Sequence, residues 1–256
     1  FLLLSSCAAT RTQVPVAVAD FFIDPVGKHY RLLADDRLVT DNPLGQNQFE
    51  YFDSSLGAPD VVDVTNPFAI LLYYADYGTV VVLDRTLSEV SRTDLFSLAH
   101  LRQPVTAARA TDQGIWVFDT WDYRLKLMDA AGRPRLESND LRLEIKASTE
   151  PAAIYVDQDR VLLHYAEEHK VAVFTNYGRF ERWMELPEAN TVGWYAPFLT
   201  GNNEVGDWIW DRRANKARPL VQGKVKSKVL ATKDGFYHLS AAGQVTFTSF
   251  ATERKE

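Results

Sequence analysis

Side chains able to bind a metal come closest together between His164 and His169, a segment that also contains Glu167 and Glu168. Imidazole nitrogens and carboxylate oxygens are both ligands that zinc and related ions accept. His164 lies in a predicted strand, however, and a Glu-Glu-His sequence at a hairpin tip is typical of a solvated turn. We therefore predict no metal site and no cofactor, and a structural Ca²⁺ ion has no support in the sequence.

Motifs that mark enzymatic sites are missing from the sequence. It contains no HExxH motif and no G-x-S-x-G nucleophile turn. Neither of the glycine-rich phosphate loops, G-x-x-x-x-G-K and G-x-G-x-x-G, is present. The sequence therefore predicts a protein that is not an enzyme.

Carboxylates and aromatic side chains recur at the predicted turns. Asp and Glu at corresponding turns form either an acidic rim, which would suit a cation or a basic partner, or simple turn formers that bond the local backbone; we favour the second interpretation. These carboxylates are Asp41, Asp76, Asp119, Asp122 and Glu167–Glu168. Exposed tyrosine and tryptophan beside a few charges are typical of interaction surfaces. The predicted interaction residues are Tyr77, Trp121, Asp122, Tyr123, Glu167 and Glu168.

Cys7 is the only cysteine, so it has no partner for an internal disulfide. It follows an apolar run and the residues Leu4-Ser5-Ser6, and this sequence resembles the lipobox of bacterial lipoproteins. The resemblance implies that residues 1–6 are the remnant of a signal peptide that is cut before Cys7, which is then lipidated. Residues 7–13 would form a short lipid-anchored tether. The alternative is a buried free cysteine in a truncated cytoplasmic protein.

The residue after Cys7 predicts in which of the two bacterial membranes the lipid is inserted. Ala8 is not an acidic retention signal, so the resemblance to lipoproteins implies the bacterial outer membrane. No acidic cluster follows, which favours the periplasmic face. The expected location is therefore the bacterial envelope, with the protein held on the outer membrane by its lipid.

Composition and hydropathy exclude nucleic acid as a partner and a membrane-spanning helix as an element of the chain. The chain has 256 residues and a net charge of −6, without a block rich in lysine and arginine. Binding to nucleic acid requires such blocks to neutralise phosphates, so we predict no nucleic-acid partner. No run of 18 apolar residues exists that could cross a membrane as a helix.

The segment Gly114–Arg133 shows the pattern that organises the chain. Two apolar runs, each followed by a polar turn, predict a β-hairpin that continues into a second turn. Five other passages are similar. The six passages end in polar residues whose successive separations are 31, 45, 46, 36 and 29 residues: Asp53, Asp84, Asp129, Thr175, Asp211 and Ser240. A spacing near 40 with several strands in each unit predicts an all-β fold, a single β-propeller of six four-stranded blades, with five or seven blades as alternatives.

The closure of the ring is predicted from the strand edges that its first and last blades would otherwise expose. An open ring leaves bare strand edges, so we expect Val14–Ile23 and Gln244–Phe250 to share one blade and close the ring. The propeller domain would then span residues 14–251, followed by a charged tail at residues 252–256. Strand candidates between the hairpins are predicted to line the channel: Val61–Thr65, Val105–Ala110, Ala153–Asp157, Val192–Ala196 and Val225–Val229.

The repeated unit resembles the NHL-type repeat of six-bladed propellers. That repeat has a strand, an Asp with a short turn that often ends in Arg, a second strand and then Asp-x-x-Gly. Trp116–Asp119, Tyr123–Leu125 and Asp129–Gly132 fit it best, and Tyr73–Asp84 and His164–Gly178 fit it loosely. The resemblance implies the fold, and fold alone does not imply chemistry.

Function is predicted from the anchor, the ring and the missing catalytic motifs. We expect a non-enzymatic scaffold or interaction module, such as a subunit of an outer-membrane complex, with other envelope proteins as its partners. One alternative is a hydrolase, a lyase or a small-ligand binder whose site lies in the channel, with Asp63, Arg109 and Asp157 as lining residues. Another alternative is carbohydrate binding through Trp121 and Tyr77.

Overall fold

The computed structural model describes residues 16–41, 48–211, 216–222 and 228–250. These residues form six antiparallel sheets, the blades of a β-propeller. In the described residues the sixth blade has three strands, and each of the others has four. The predicted fold class is therefore confirmed. Residues 1–15 and 251–256, which include Cys7, the tether and both limits of the predicted domain, lie outside the described residues.

The strands of the first three blades follow one another from the channel to the outer edge. They are β1 (Val18–Ile23), β2 (His29–Leu33), β3 (Leu38–Asp41) and β4 (Gln48–Tyr51); β5 (Val61–Asp63), β6 (Ile70–Tyr74), β7 (Thr79–Leu83) and β8 (Glu89–Asp94); and β9 (Pro104–Arg109), β10 (Ile115–Asp119), β11 (Arg124–Met128) and β12 (Pro134–Glu137).

The other three blades have the same order. Their strands are β13 (Ala153–Asp157), β14 (Arg160–Tyr165), β15 (Lys170–Thr175) and β16 (Phe180–Glu185); β17 (Thr191–Tyr195), β18 (Phe198–Asn202), β19 (Gly206–Asp211) and β20 (Lys216–Gln222); and β21 (Lys228–Ala231), β22 (Gly235–Leu239) and β23 (Val245–Ser249). In the part of the chain that the structure describes, the helical elements are two 3₁₀ turns, Ala75–Tyr77 and Leu95–Ser97, and one turn of α-helix, α1 (Leu141–Glu144). No helix in the described ranges is long and apolar enough to cross a membrane.

Alternation in the middle strands of a blade decides which neighbouring blade each side chain contacts. In β10, Trp116 and Phe118 pack with residues of the fourth blade. Ile115 and Val117, on the other face of the strand, pack with residues of the second blade. Successive side chains of a strand point to opposite faces, so a blade between two others must be apolar on both faces. This is why the middle strands consist of nearly continuous apolar runs.

Two sequence predictions about the end blades are wrong in the described part of the chain. Val18–Ile23 belongs to the first blade, where it pairs with β2, and β23 pairs with β22 in the sixth. The terminal ranges therefore do not pair with each other in the described residues. The hairpins that the sequence predicts for the first and sixth units, Arg37–Gly57 and Val229–Gly243, are also displaced by one strand, because they correspond to β3–β4 and β21–β22 and not to the second and third strands.

Apolar packing joins the first blade to the sixth. Phe21 and Ile23 lie in one buried cluster with Leu230 and Leu239. Lys228 Nζ lies 2.6 Å from Asp20 Oδ1 across the same junction. Among the described residues, side-chain contacts of this kind bury the facing sides of the two blades without a shared strand.

Candidate functional site

One face of the ring, here called the turn face, carries the turns between the second and third strands of each blade. It also carries the connections between blades, because β7 begins opposite the end of β8, as the pairing of Thr79 with Asp94 shows. Short turns on a rigid sheet hold their side chains in fixed positions. The predicted interaction residues all lie on these turns.

The turns of the second, third and fourth blades share one backbone shape. Their last residues, Gly78, Tyr123 and His169, have φ values of 55°, 58° and 50°. In this left-handed conformation the last residue of each turn leads directly into the third strand of its blade. Tyr77 and Trp121 are middle residues, and their exposed fractions are 49% and 62%. The middle residue Glu167 is exposed as well.

Asp119 fixes the turn that presents Trp121. This fully buried carboxylate accepts hydrogen bonds from the backbone N–H of Gln103 at 2.9 Å and of Trp121 at 3.2 Å. Its other oxygen accepts from Arg102 N at 3.1 Å and from Lys126 Nζ at 2.9 Å. Burial acts to raise the pKa of Asp119, but Lys126 and the backbone donors outweigh it and the pKa lies below its ordinary value. Asp119 thus joins the turn to the connection that precedes its blade.

Two of the predicted interaction residues stabilise the turn instead of projecting from it. Tyr123 is only 7% exposed, which corrects the expectation of an exposed ring. Its left-handed backbone directs the ring onto Phe118, with the ring centroids 5.1 Å apart, and its hydroxyl donates to the carbonyl of Thr149. Asp122 forms an ion pair with Lys126 at 2.7 Å. Neither side chain is free for an interaction surface.

Glu168 also has a structural role. Its Oε1 accepts hydrogen bonds from the backbone N–H groups of Ser148 and Thr149, both at 3.0 Å, and from the Thr149 hydroxyl at 2.9 Å. Its other oxygen pairs with Lys170. Burial acts to raise the pKa of Glu168, but Lys170 and these donors lower it to about 2. Glu168 therefore holds the connection between the third and fourth blades.

The lowered pKa of Glu168 predicts acid sensitivity. Because the folded pKa is about 2 and the ordinary value is 4.5, the stabilisation is complete above pH 4.5 and is lost as the pH falls towards 2. We expect Glu168→Gln to lower the free energy of unfolding near neutral pH by about 2 kcal/mol, after allowance for solvent screening. The difference from wild type should shrink steadily in urea titrations at decreasing pH. Glu167→Gln, at the exposed neighbouring position, is the control, and an equal loss in both variants would contradict this assignment.

Sequence reasoning missed two members of the exposed surface. Phe96, on the connection between the second and third blades, is 50% exposed. Its ring covers Gly78 so closely that a Cβ there would lie 2.7 Å from it. The guanidinium of Arg102 lies over the Trp121 ring, 5.3 Å from the centroid. We call Tyr77, Phe96, Trp121 and Arg102 the aromatic patch. A signal for Phe96 is its place in a short turn after Asp94, whose carboxylate caps the turn by accepting from the N–H groups of Phe96 and Ser97.

The turn face is also acidic. Asp76, Glu167 and Glu204 are exposed on the turns of the second, fourth and fifth blades, and form no ion pair within the described part of the chain. Asp41, which the sequence had placed with this set, ends β3 on the opposite face and pairs with Arg31 at 2.6 Å. The described acidic residues at the turns are therefore a mixture of free carboxylates and structural ones.

The central channel is a second candidate site. It contains a cavity of about 720 Å³, and the three predicted channel residues, Asp63, Arg109 and Asp157, all line it. Both carboxylate oxygens of Asp63 accept hydrogen bonds from backbone N–H groups. One accepts from Thr65 at 2.9 Å and the other from Arg109 at 2.7 Å. Burial raises the pKa of Asp63 and lowers that of Arg109.

Aromatic side chains form one wall of the channel. The rings of Tyr155 and Trp194 stack with their centroids 5.4 Å apart and their planes inclined by 22°. His164, which the sequence had offered as a metal ligand, stacks on Tyr155 at 6.2 Å. Burial and the nearby charge of His169 lower the pKa of His164 to about 4. Across the described ranges, no group of three or more His, Cys, Asp and Glu side chains is placed to hold a metal ion.

Comparison with known proteins finds similarity in fold and none in sequence families. No protein-family model matches the chain, and no curated protein matches it. A solved streptogramin B lyase superposes with a TM-score of 0.60 and 11% identity, over 93% of this chain and 85% of that one. A catalytically inactive virginiamycin B lyase from Staphylococcus aureus, solved with quinupristin, gives 0.59 and 9%, over 93% and 86%. A protein of unknown function from Bacteroides caccae gives 0.56 and 11%, over 87% and 90%. The chain is thus similar to these proteins in fold.

Proposed function

We propose that this protein is a non-enzymatic interaction module that is held on the periplasmic face of the outer membrane by a lipid on Cys7. The aromatic patch binds another envelope protein. The observation that carries the proposal is the exposure of Tyr77, Phe96 and Trp121 on the same face, at 49%, 50% and 62%. Exposed rings held by rigid turns lose little conformational freedom on binding, which makes them effective anchors.

The burial of three other tryptophans supports this proposal. Trp116, Trp208 and Trp210 are between 2% and 5% exposed and pack between blades. The Trp121 ring therefore contributes nothing comparable to the core, and the buried Asp119 network holds its turn in place. A rigid support beneath an exposed ring is what a binding anchor requires.

The charge of the surface indicates the kind of partner. Asp76, Glu167 and Glu204 lie exposed around the turn face, and the whole chain carries a charge of −6. A segment with lysine or arginine beside apolar side chains would complement both the carboxylates and the rings. Binding to such a segment should weaken as salt is added, because exposed charges are screened.

Position-specific crosslinking tests the proposal. A photoreactive amino acid placed at Trp121 should crosslink an envelope protein in living cells, whereas the same group at Tyr177 should not. Tyr177 is the matched control because it is 74% exposed and lies on the opposite face, in the turn after β15. Equal crosslinking at both positions, or none at Trp121, would refute the assignment of the patch.

Affinity for the captured partner then measures the contribution of the ring. We expect Trp121→Ala to weaken binding at least about tenfold, because exposed aromatic anchors carry a large share of interface energy. Tyr177→Ala should leave the affinity within about twofold of wild type. Both side chains are exposed, so the two variants should unfold at the same temperature as the parent, which separates binding from stability.

A further inference from the structure

The channel has the dimensions of a small-molecule site. Its cavity of about 720 Å³ extends along the axis between the innermost strands of the blades. Pockets that bind small ligands have volumes of roughly 300–1,000 Å³ and combine an apolar lining with a few polar groups. Val61, Val192 and Phe22 supply apolar surface here. The question is then which polar group in the channel lacks a partner.

Arg109 is that group. It is only 8% exposed, and its Nε is buried without a hydrogen-bond partner. Throughout the described residues its guanidinium forms no hydrogen bond and no ion pair. Burying an unpaired charge is costly, and a buried polar group without a partner in a native protein requires an explanation. A bound anion supplies one.

In the described residues no carboxylate forms an ion pair with Arg109, although Asp63 and Asp112 lie near enough to raise its pKa against the effect of burial. Asp63 contacts the backbone N–H of Arg109 and the turn at Thr65, and forms no ion pair with the guanidinium. Lys228 lines the same cavity but is paired with Asp20 at 2.6 Å. Of these two channel cations, Arg109 is therefore the one that is available to a ligand.

The other residues that line the channel limit the chemical class of the ligand. Trp194 presents a second unused donor, since its buried Nε1 has no acceptor in the described residues. Its stack with Tyr155 gives the wall a flat aromatic surface. Asp60 also lines the cavity, and its carboxylate repels a doubly charged phosphate more strongly than a singly charged anion. Guanidinium binds a carboxylate with two parallel hydrogen bonds.

We propose that the central channel binds a singly charged aromatic carboxylate, whose carboxylate pairs with Arg109 and whose ring lies against Tyr155 and Trp194. This site is separate from the aromatic patch, which lies on the turn face. Arg109 ends β9 and Tyr195 ends β17 on the opposite face, so the ligand enters from there.

Calorimetric titration of the whole protein with 2-naphthoate tests the site. Wild type should bind 2-naphthoate and should bind the uncharged amide 2-naphthamide at least about tenfold more weakly, because the charged hydrogen bonds are lost. Arg109→Met should weaken 2-naphthoate binding by a similar factor. Arg135→Met, which removes the same charge from the exposed outer strand of the same blade, should bind like wild type.

Stability measurements separate a ligand site from a structural arginine. Because the guanidinium of Arg109 leaves no partner behind among the described residues, Arg109→Met should unfold at a temperature no lower than wild type. Arg109→Lys, which keeps the charge without the planar fork, should bind with intermediate affinity. The proposal is overturned if wild type does not bind 2-naphthoate, if it binds the acid and the amide equally, or if Arg109→Met binds like wild type.

Discussion

Replacing Asp119 with leucine is expected to destabilise the protein by about 3–5 kcal/mol, the largest effect we expect for a single side chain here. The carboxylate is fully buried and accepts hydrogen bonds from Lys126 and from three backbone N–H groups. Leucine removes every acceptor and leaves Lys126, itself 4% exposed, with only Asp122 and the carbonyl of His100. A buried cation that loses its main partner costs far more than an exposed ion pair.

Urea unfolding of matched Asp-to-Asn variants measures this effect without a change of shape. Asp119→Asn should lower the free energy of unfolding by roughly 2–4 kcal/mol. Asp129→Asn, at a turn where the carboxylate accepts from Ala131 and Arg133 and is 23% exposed, should cost less than about 1 kcal/mol. Equal losses at the two positions would show that Asp119 is not the support of the Trp121 turn.

Substituting Cys7 by alanine should release the protein from the membrane. Each buried CH₂ group of an acyl chain contributes about 0.8 kcal/mol, so two or more chains on Cys7 would hold the protein almost completely in the membrane fraction. Without the thiol no chain can be attached. We expect the wild type in the membrane pellet and Cys7→Ala in the soluble fraction when both are expressed from the full-length gene in a Gram-negative host.

Two controls make this result decisive. Trp121→Ala, which leaves Cys7 intact, should stay in the pellet even where partner binding is weakened, so anchoring and patch binding are read separately. The intact mass of the wild type should exceed that of the polypeptide by the added acyl groups. An unmodified mass, or an equal distribution of wild type and Cys7→Ala, would favour the alternative of a free cysteine.

Much of the fold could be predicted because blade strands obey local rules. Apolar runs bounded by polar turns locate a strand pair wherever both faces of a blade are covered, as in β10 and β11. The same rule fails at the ends of the chain. In the first and sixth units the second and third strands are less continuously apolar, so neighbouring strands were taken for them. Closure was mispredicted because side-chain packing between blades leaves no periodic signal.

The candidate sites divide in the same way. Local sequence identified Trp121 as exposed because a bulky ring between Thr120 and Asp122 interrupts two apolar runs. The burial of Tyr123 depends on a left-handed backbone and on Thr149, a residue of the next connection, neither of which a turn sequence displays. Arg109 was placed in the channel from its strand, but its lack of a partner follows from where Asp63 and Asp20 direct their oxygens.

The sequence by itself predicted the all-β class, six as the favoured number of blades and the innermost strands of the second to fifth blades, because alternation and spacing are properties of neighbouring residues. It also contains the cysteine and the turns on which an anchor and an interaction surface depend. Only the tertiary structure decided which charged groups are used up within the protein and which are left for a ligand. Asp119 and Glu168 accept hydrogen bonds from the connections that precede their blades, whereas the guanidinium of Arg109 has no such partner in the described residues; these contacts form only when each blade packs against its preceding connection.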